Sequence, residues 1–273
     1  MNITLSTGKI LPIEMHQIKI VQKTHLPPVG KRFEAMREAG FNTFLLRTRD
    51  IFLDMLTDSG TNAMSDTQLS AMMAADDAYA GSESFYRLAA AVQEVFGMRH
   101  LMPVHQGRAA ENLLAKALVK PGDAVLMNYH FTTSKAHIEL AGGRVVELFG
   151  ADALETTSDN PFKGNMDLRR LAGAIEEYGP EHIAYVRMEA TTNLIGGQPF
   201  SLQNLREVKA MAGSFGIPLV FDGSLISENA FFIQQREAEF ARASLGEIIL
   251  EMMRHVDVLY LSGRKSAAAR GGL

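Results

Sequence analysis

Three places along the chain carry side chains that could do chemistry together. In HQGRAAEN (105–112), Gly107 lets backbone approach a ligand closely. Helix-start N–H groups and the Arg108 guanidinium could then hold a phosphate. The same stretch also reads as an ordinary β–α turn with a surface arginine. Asp222 directly follows the apolar run IPLVF. A carboxylate there can pair with a protonated heterocycle nitrogen or a metal. It can also cap the next helix, a role for which Ser224 and Ser227 compete. Lys265 follows the last apolar run, in LSGRK, with Arg264 beside it. A neighbouring cation favours the free amine, which can form an imine with an aldehyde cofactor. The competing reading is a solvated basic turn.

These residues need elements that bring them to one edge. Helical spacing is expected for 83–96, ending at Gly97, and for AAENLLAKALV, TTSKAHIELA, MDLRRLAGAIEEYG and SLQNLREVKAMAGSFG. A long helical region is expected from after Asp222 to about His255. HLMPV, DAVLMN, RVVELF, EHIAYVRME, IPLVF and DVLYL read as strands. Residues 1–30 read as an irregular arm. Strands alternating with helices imply βαβ units and a mostly parallel sheet, with ligands beyond the carboxyl ends of the strands. The turns that matter are then 105–108, 129–133, 190–193, 222–224 and 262–265. Donors for a phosphate, a carboxylate for a ring nitrogen and an amine for an aldehyde follow one another at strand ends. That is the minimal set for a pyridoxal phosphate site.

Composition removes several other classes. The 273 residues suffice for one large domain or two small ones, and 47% of them are apolar. The net charge of −4 and the lack of a basic run argue against nucleic acid. The chain has no cysteine, so disulfides, thiolate catalysis and Cys-based zinc sites are excluded, in keeping with a cytoplasmic location. No stretch approaches a membrane-spanning helix, and MNITLSTGKI has no signal-peptide core. GRKS lacks the upstream glycine of a Walker loop, and neither G-x-G-x-x-G after a strand nor G-x-S-x-G is present. The eight histidines show no H-x-x-x-H spacing, although His130 and His137 could share a face.

Seven segments in order carry a specific resemblance: 42–66 (NTFLLRTRDIFLDMLTDSGTNAMSD), 76–88 (DDAYAGSESFYRL), 103–114 (PVHQGRAAENLL), 128–137 (NYHFTTSKAH), 193–205 (NLIGGQPFSLQNL), 221–233 (FDGSLISENAFFI) and 261–265 (LSGRK). They resemble the β-eliminating lyases of aromatic amino acids, the tyrosine phenol-lyases and tryptophanases. NTFLL, SGTNAMSD, FTTSKAH and AENLL, with Thr132 after Phe131, look more like the tyrosine phenol-lyase branch. The resemblance implies an α/β, aspartate aminotransferase-like fold (fold type I), present as an incomplete large domain with a mostly parallel central sheet. It also implies pyridoxal 5′-phosphate as cofactor. Residues 1–55 would form an amino-terminal arm and the start of an interface segment, and residues 56–273 the cofactor-binding large domain.

By position, the resemblance makes Lys265 the imine-forming lysine. Gln106, Gly107, Arg108, Ser262 and Arg264 fall at the phosphate and Phe131 on the ring face. Asp222 falls at the ring nitrogen with Ser224 beside it, and Asn193 at the ring oxygen. Tyr79 would be the acid to the leaving group, acting across a subunit interface. Thr57, Ser59 and Thr132 lie where substrate is held, and Gly60 and Asp77 near a site for a monovalent cation such as K⁺. Arg270 is a candidate to pair with Asp77 and replace that ion. The expected reaction is β-elimination of an amino acid, L-tyrosine to phenol, pyruvate and ammonia, by a homodimer or homotetramer with no nucleic acid or membrane partner. The alternatives are a tryptophanase-like or carbon–sulfur lyase, or a non-catalytic remnant that only folds and assembles. Two departures stand out. Leu225 occupies the position of an arginine aimed at the ring oxygen. The family's chains are also much longer, so the rest of the large domain and the small carboxy-terminal domain are expected to be missing.

Overall fold

The computed structural model describes residues 2–12, 23–54, 56 and 64–273. The chain divides into two compact units, Met1–Asp58 and Ser59–Leu273.

In the first unit, β1 (Asn2–Thr4) pairs antiparallel with β2 (Ile10–Pro12), with Ile3 opposite Leu11. The turn between them runs through Gly8 at φ 80°. The start of the expected irregular arm is therefore a small hairpin, its strands too short to show alternation. Helix α1 (Val29–Glu38) starts directly after Pro28. Proline suits a helix start because the N–H it lacks has no partner there. Short 3₁₀ turns follow at Thr43–Leu45 and Thr48–Asp50, the first capped by Asn42.

The second unit opens with α2 (Asp66–Met73) and α3 (Glu83–Phe96). Ser65 and Gln68 form a reciprocal capping box on α2. Gly97 ends α3 at φ 67°, a left-handed position that favours glycine. Alternation then sets in: α4 (Gly107–Leu118), β3 (Ala124–Met127), α5 (Thr132–Leu140), β4 (Arg144–Glu147), α6 (Leu168–Tyr178), β5 (Ile183–Glu189), α7 (Leu202–Ser214) and β6 (Leu219–Asp222). Helices α8 (Ile226–Arg236) and α9 (Leu245–Met253) and strand β7 (Val258–Tyr260) complete it. The expected long helix to His255 is thus two helices. The break is legible, since Ser244 and Glu247 form a second capping box.

The five strands run parallel in the order β4-β3-β5-β6-β7. Chain order reverses between β3 and β5, so a crevice opens at their carboxyl ends. Side chains of successive residues enter different layers. Val125, Met127, Tyr185, Val220 and Tyr260 pack with Ala110 and Ala115 of α4 and Ile138 of α5. Leu126, Val186, Met188, Leu219 and Phe221 pack with Leu171, Leu205, Ile233 and Ile248 from α6 to α9. Each fully buried Leu, Val or Phe stabilises the sheet by about 1.5–3 kcal/mol relative to exposure. The α/β large domain with a mostly parallel central sheet expected from the sequence is this doubly wound unit.

HLMPV is not a strand. Only Val104 bridges, antiparallel, to Gly272. Pro103 has no N–H to give a ladder. Residues 271–273 fold back beside Ser262 and Leu261, with Gly263 N–H donating to Gly271 C=O at 2.9 Å and Leu261 N–H to Leu273 C=O at 2.7 Å. These bonds hold the Arg264–Lys265 turn from beneath. No helix among the described residues is long and apolar enough to cross a membrane.

Candidate functional site

Parallel register builds the polar centre. Glu189 on β5 lies opposite Asp222 on β6, and Asp222 opposite Tyr260 on β7. Arg187 sits two residues earlier on β5, on the same face as Glu189. The residue is 1% exposed, and its guanidinium makes four hydrogen bonds. Nη2 donates to Asp222 Oδ2 at 2.7 Å, Nη1 to Glu189 Oε2 at 3.0 Å and to the Tyr129 carbonyl at 3.3 Å, and Nε to Tyr260 Oη at 2.8 Å. Tyr260 in turn donates its hydroxyl to Asp222 Oδ2 at 3.0 Å. Ser224 N–H donates to Asp222 Oδ1 at 3.0 Å. Oδ2 therefore takes two donors and Oδ1 one. A carboxylate oxygen accepts about two, so Oδ1 keeps a lone pair for another N–H.

Burial governs the ionisation of this cluster. It pushes Glu189 up to about 7, against the pull of Arg187 and with the push of Asp222. Burial likewise raises Tyr260 well above its ordinary value. It opposes the charge on Arg187, but Tyr260, Glu189 and Asp222 outweigh it and hold that pKa above the usual one. Glu111 on α4, buried beneath the cluster, is also raised, first by burial, and accepts from Thr133 Oγ1 at 2.5 Å.

Asp222 does not cap the following helix. The first position before α8 is Leu225, which offers no side-chain bond. Ser224 Oγ instead accepts from Ser262 N–H at 3.0 Å, tying the β6 turn to the β7 turn. Beyond Ser262, Lys265 Nζ lies 5.7 Å from the Phe131 ring centroid. The buried Nε of Arg264 has no hydrogen-bond partner. Gln106 leaves the start of α4 without a side-chain cap. A Cβ on Gly107 would sit 3.0 Å from Ser262 Cβ and 3.2 Å from Ser262 Cα and N. Gly107→Ala should therefore force the two turns apart and cost about 1–3 kcal/mol, as overpacking typically does. Chemical denaturation would measure the loss, and an unchanged midpoint would contradict the close approach.

The structure thus gathers Asp222, Ser224, Ser262, Arg264, Lys265, Gln106, Gly107 and Phe131 at one edge of the sheet. Asn193 lies in a 3₁₀ turn after β5, its N–H donating to Glu189 Oε1 at 3.0 Å. Thr132 is exposed at the start of α5. Arg108 is exposed and lines a cleft with His105, Asn112 and His137, a lining that includes none of Gly107, Ser262 and Arg264. Tyr79 is wholly exposed and bonds to none of the described site residues. Asp77 and Arg270 are both exposed, and the candidate ion pair between them is not formed. Thr57, Ser59 and Gly60 lie outside the described residues. Among the described residues, no group of three or more His, Asp or Glu side chains is arranged to hold a metal ion.

Sequence reasoning did not single out Arg187, Glu189, Tyr260 or Glu111. A signal was present: Arg187 and Glu189 alternate inside an otherwise apolar parallel strand, IAYVRME, where buried charges must find partners.

A family model described as beta-eliminating lyase matches residues 54–273. A tyrosine phenol-lyase of Nostoc punctiforme is 45% identical over 259 residues, covering 95% of this chain and 56% of that protein. A tyrosine phenol-lyase of Pasteurella multocida is 43% identical over 261 residues, covering 96% and 57%. The chain therefore spans little more than half the length of these relatives. A solved threonine aldolase of Leishmania major superimposes with a TM-score of 0.51 at 18% identity, covering 76% of this chain and 56% of that one. That likeness bears on the fold alone.

Proposed function

The chain belongs to the beta-eliminating lyase family, and from that premise we propose that it binds pyridoxal 5′-phosphate and serves tyrosine phenol-lyase chemistry. Residues 56–273 would be the cofactor-binding domain and residues 1–55 an arm and interface segment. The observation that carries the reading is the buried, unpartnered Nε of Arg264, two residues after the Ser262 that Gly107 closely approaches. A buried donor without an acceptor is costly, and a phosphate oxygen would satisfy it. The other residues fit the same group. Asp222 Oδ1 keeps an acceptor site for a ring N–H, Phe131 offers a face, Asn193 a donor for the ring oxygen, and Lys265 an amine.

When bound, the cofactor supplies an electron sink for the substrate's Cα. The chain's residues supply the rest. Asp222 holds the ring-nitrogen proton. Lys265 would anchor the cofactor through its amine and would be the base placed to move the Cα proton. Tyr79 is wholly exposed, so its proposed role as proton donor to the leaving ring falls to a second copy of the chain. We therefore include at least a dimer, seen by light scattering, in the proposal. Thr57, Ser59 and Thr132 would contact the amino-acid substrate, Arg108 the phosphate edge, and Gly60 with Asp77 a potassium ion.

The test is pyruvate formation from L-tyrosine, L-tryptophan and S-alkyl cysteines in the presence of cofactor. Phenol and pyruvate from tyrosine alone is the expected result. Pyruvate from none would refute catalysis by this chain, and indole from tryptophan would move it to the tryptophanase branch.

Leu225 gives a further prediction. Its side chain cannot donate a hydrogen bond, so the ring oxygen would lack a cationic neighbour there. Leu225→Arg should lower the pKa of the Lys265 imine by roughly one unit, since a charge-assisted hydrogen bond is worth about that much. A pH titration of the visible spectrum reads it. An unchanged pKa would mean that residue 225 does not face the ring oxygen.

A further inference from the structure

Asp222 is not a lone carboxylate awaiting a ring. Its Oδ2 is already held by the Arg187 guanidinium and the Tyr260 hydroxyl. A guanidinium this close opposes a second cation at Oδ1, because the Asp222–Arg187 pair is already neutral. Glu189, bonded to the same guanidinium at 3.0 Å, changes the balance. With Glu189 ionised, two carboxylates face one guanidinium, and a protonated ring nitrogen brings the cluster to neutrality. With Glu189 protonated, the same ring leaves an uncompensated buried positive charge.

We infer that Glu189 and Arg187 are positioning residues that set whether the ring nitrogen keeps its proton, with Glu189 supplying the negative charge that Arg187 takes from Asp222. The inference deepens the cofactor reading above and rests on it. In the step it describes, the ring nitrogen holds one proton on Asp222 and Glu189 gives one up to water.

The surroundings of Glu189 support the assignment. Arg187 shares its strand, Asp222 faces it from β6, and Tyr260 on β7 and Glu111 on α4 act on the same guanidinium. Asn193 N–H contacts Oε1; after β3, Asn128 bonds the Glu189 backbone, and Tyr129 gives its carbonyl to Arg187 and stacks on His130, which is paired with Glu147. Lys265 lies over Phe131. Burial raises Glu189 to about 7, so its charge changes near neutrality in the cofactor-free site. The sign follows. A raised carboxylate is protonated below that value, so binding of a protonated ring weakens as pH falls through it and is complete above it.

The experiment uses pyridoxine 5′-phosphate, which lacks the aldehyde and so excludes imine formation. A second probe is its analogue with ring nitrogen replaced by CH, which keeps the phosphate and hydroxyl titrations. The wild-type chain should bind the nitrogen probe about ten-fold more tightly at about pH 8 than at about pH 6, relative to the CH probe. Glu189→Gln should remove that difference. The ¹⁵N shift of labelled probe should report a protonated ring in wild type and an unprotonated one in Glu189→Gln. The double variant Arg187→Met, Glu189→Gln should restore the protonated signal, because Asp222 then stands without its guanidinium. If a variant does not fold, the wild-type comparison of the two probes decides alone. Equal pH dependence of both probes, or a ring that stays protonated in Glu189→Gln, would overturn the inference. Binding of neither probe would instead refute the cofactor reading itself.

Discussion

Replacing Asp222 with alanine is expected to destabilise the chain by about 3–5 kcal/mol, the typical cost of removing one partner from a buried ion pair. Asp222 is 5% exposed and Arg187 1%, so water cannot replace the lost carboxylate. Arg187 would keep Glu189 and Tyr260, but the 2.7 Å bond from Nη2 would have no acceptor. Tyr260 would lose the acceptor for its hydroxyl as well. A loss of that size is a large part of the 5–15 kcal/mol that separates folded from unfolded domains. Asp222→Asn should cost less, since an amide oxygen can still accept. Urea denaturation of the three proteins measures the series. A loss below about 1 kcal/mol in Asp222→Ala would mean that Arg187 does not depend on Asp222.

Lys265→Ala should behave in the opposite way, sparing the fold and removing the chemistry. Lys265 is half-buried, and its one ring contact is Phe131 at 5.7 Å. Such a contact is worth about 0.5–1 kcal/mol at an exposed site, so stability should barely move. The visible imine band should vanish, and any lyase activity should fall by at least a factor on the order of 10²–10⁴, the usual worth of a positioned acid–base group. Non-covalent binding should survive, because the phosphate end is proposed to be held by Arg264 and Gly107, independently of Lys265. A variant that retained the band would show that another amine carries the cofactor.

The parts of this arrangement that were legible in the sequence are those set by local signals. Apolar runs ending in Asp222 or in LSGRK marked β6 and β7, and Gly97 marked the end of α3. The glycine of HQGRAAEN marked the turn into α4. Once strands alternated with helices, the shared strand edge followed, and with it the meeting of Asp222, Gly107 and Lys265. Other features depended on pairing that no local pattern encodes. Arg187 reaches Asp222 only because β5 and β6 align Glu189 with Asp222. A shift by one residue would turn Arg187 to the opposite face of the sheet. HLMPV has strand composition, yet its one bridge is to residue 272, far along the chain. Tyr79 illustrates a different limit. A side chain proposed to act in a neighbouring copy has nothing to contact within its own chain.

The central claim is that this chain carries pyridoxal 5′-phosphate on Lys265. The full chain should be saturated with cofactor, reduced with borohydride, digested and mapped by mass spectrometry. The account predicts one reduced adduct, on the peptide containing Lys265, with no label in Lys265→Ala. An adduct on a different lysine, or none at saturating cofactor, would contradict it.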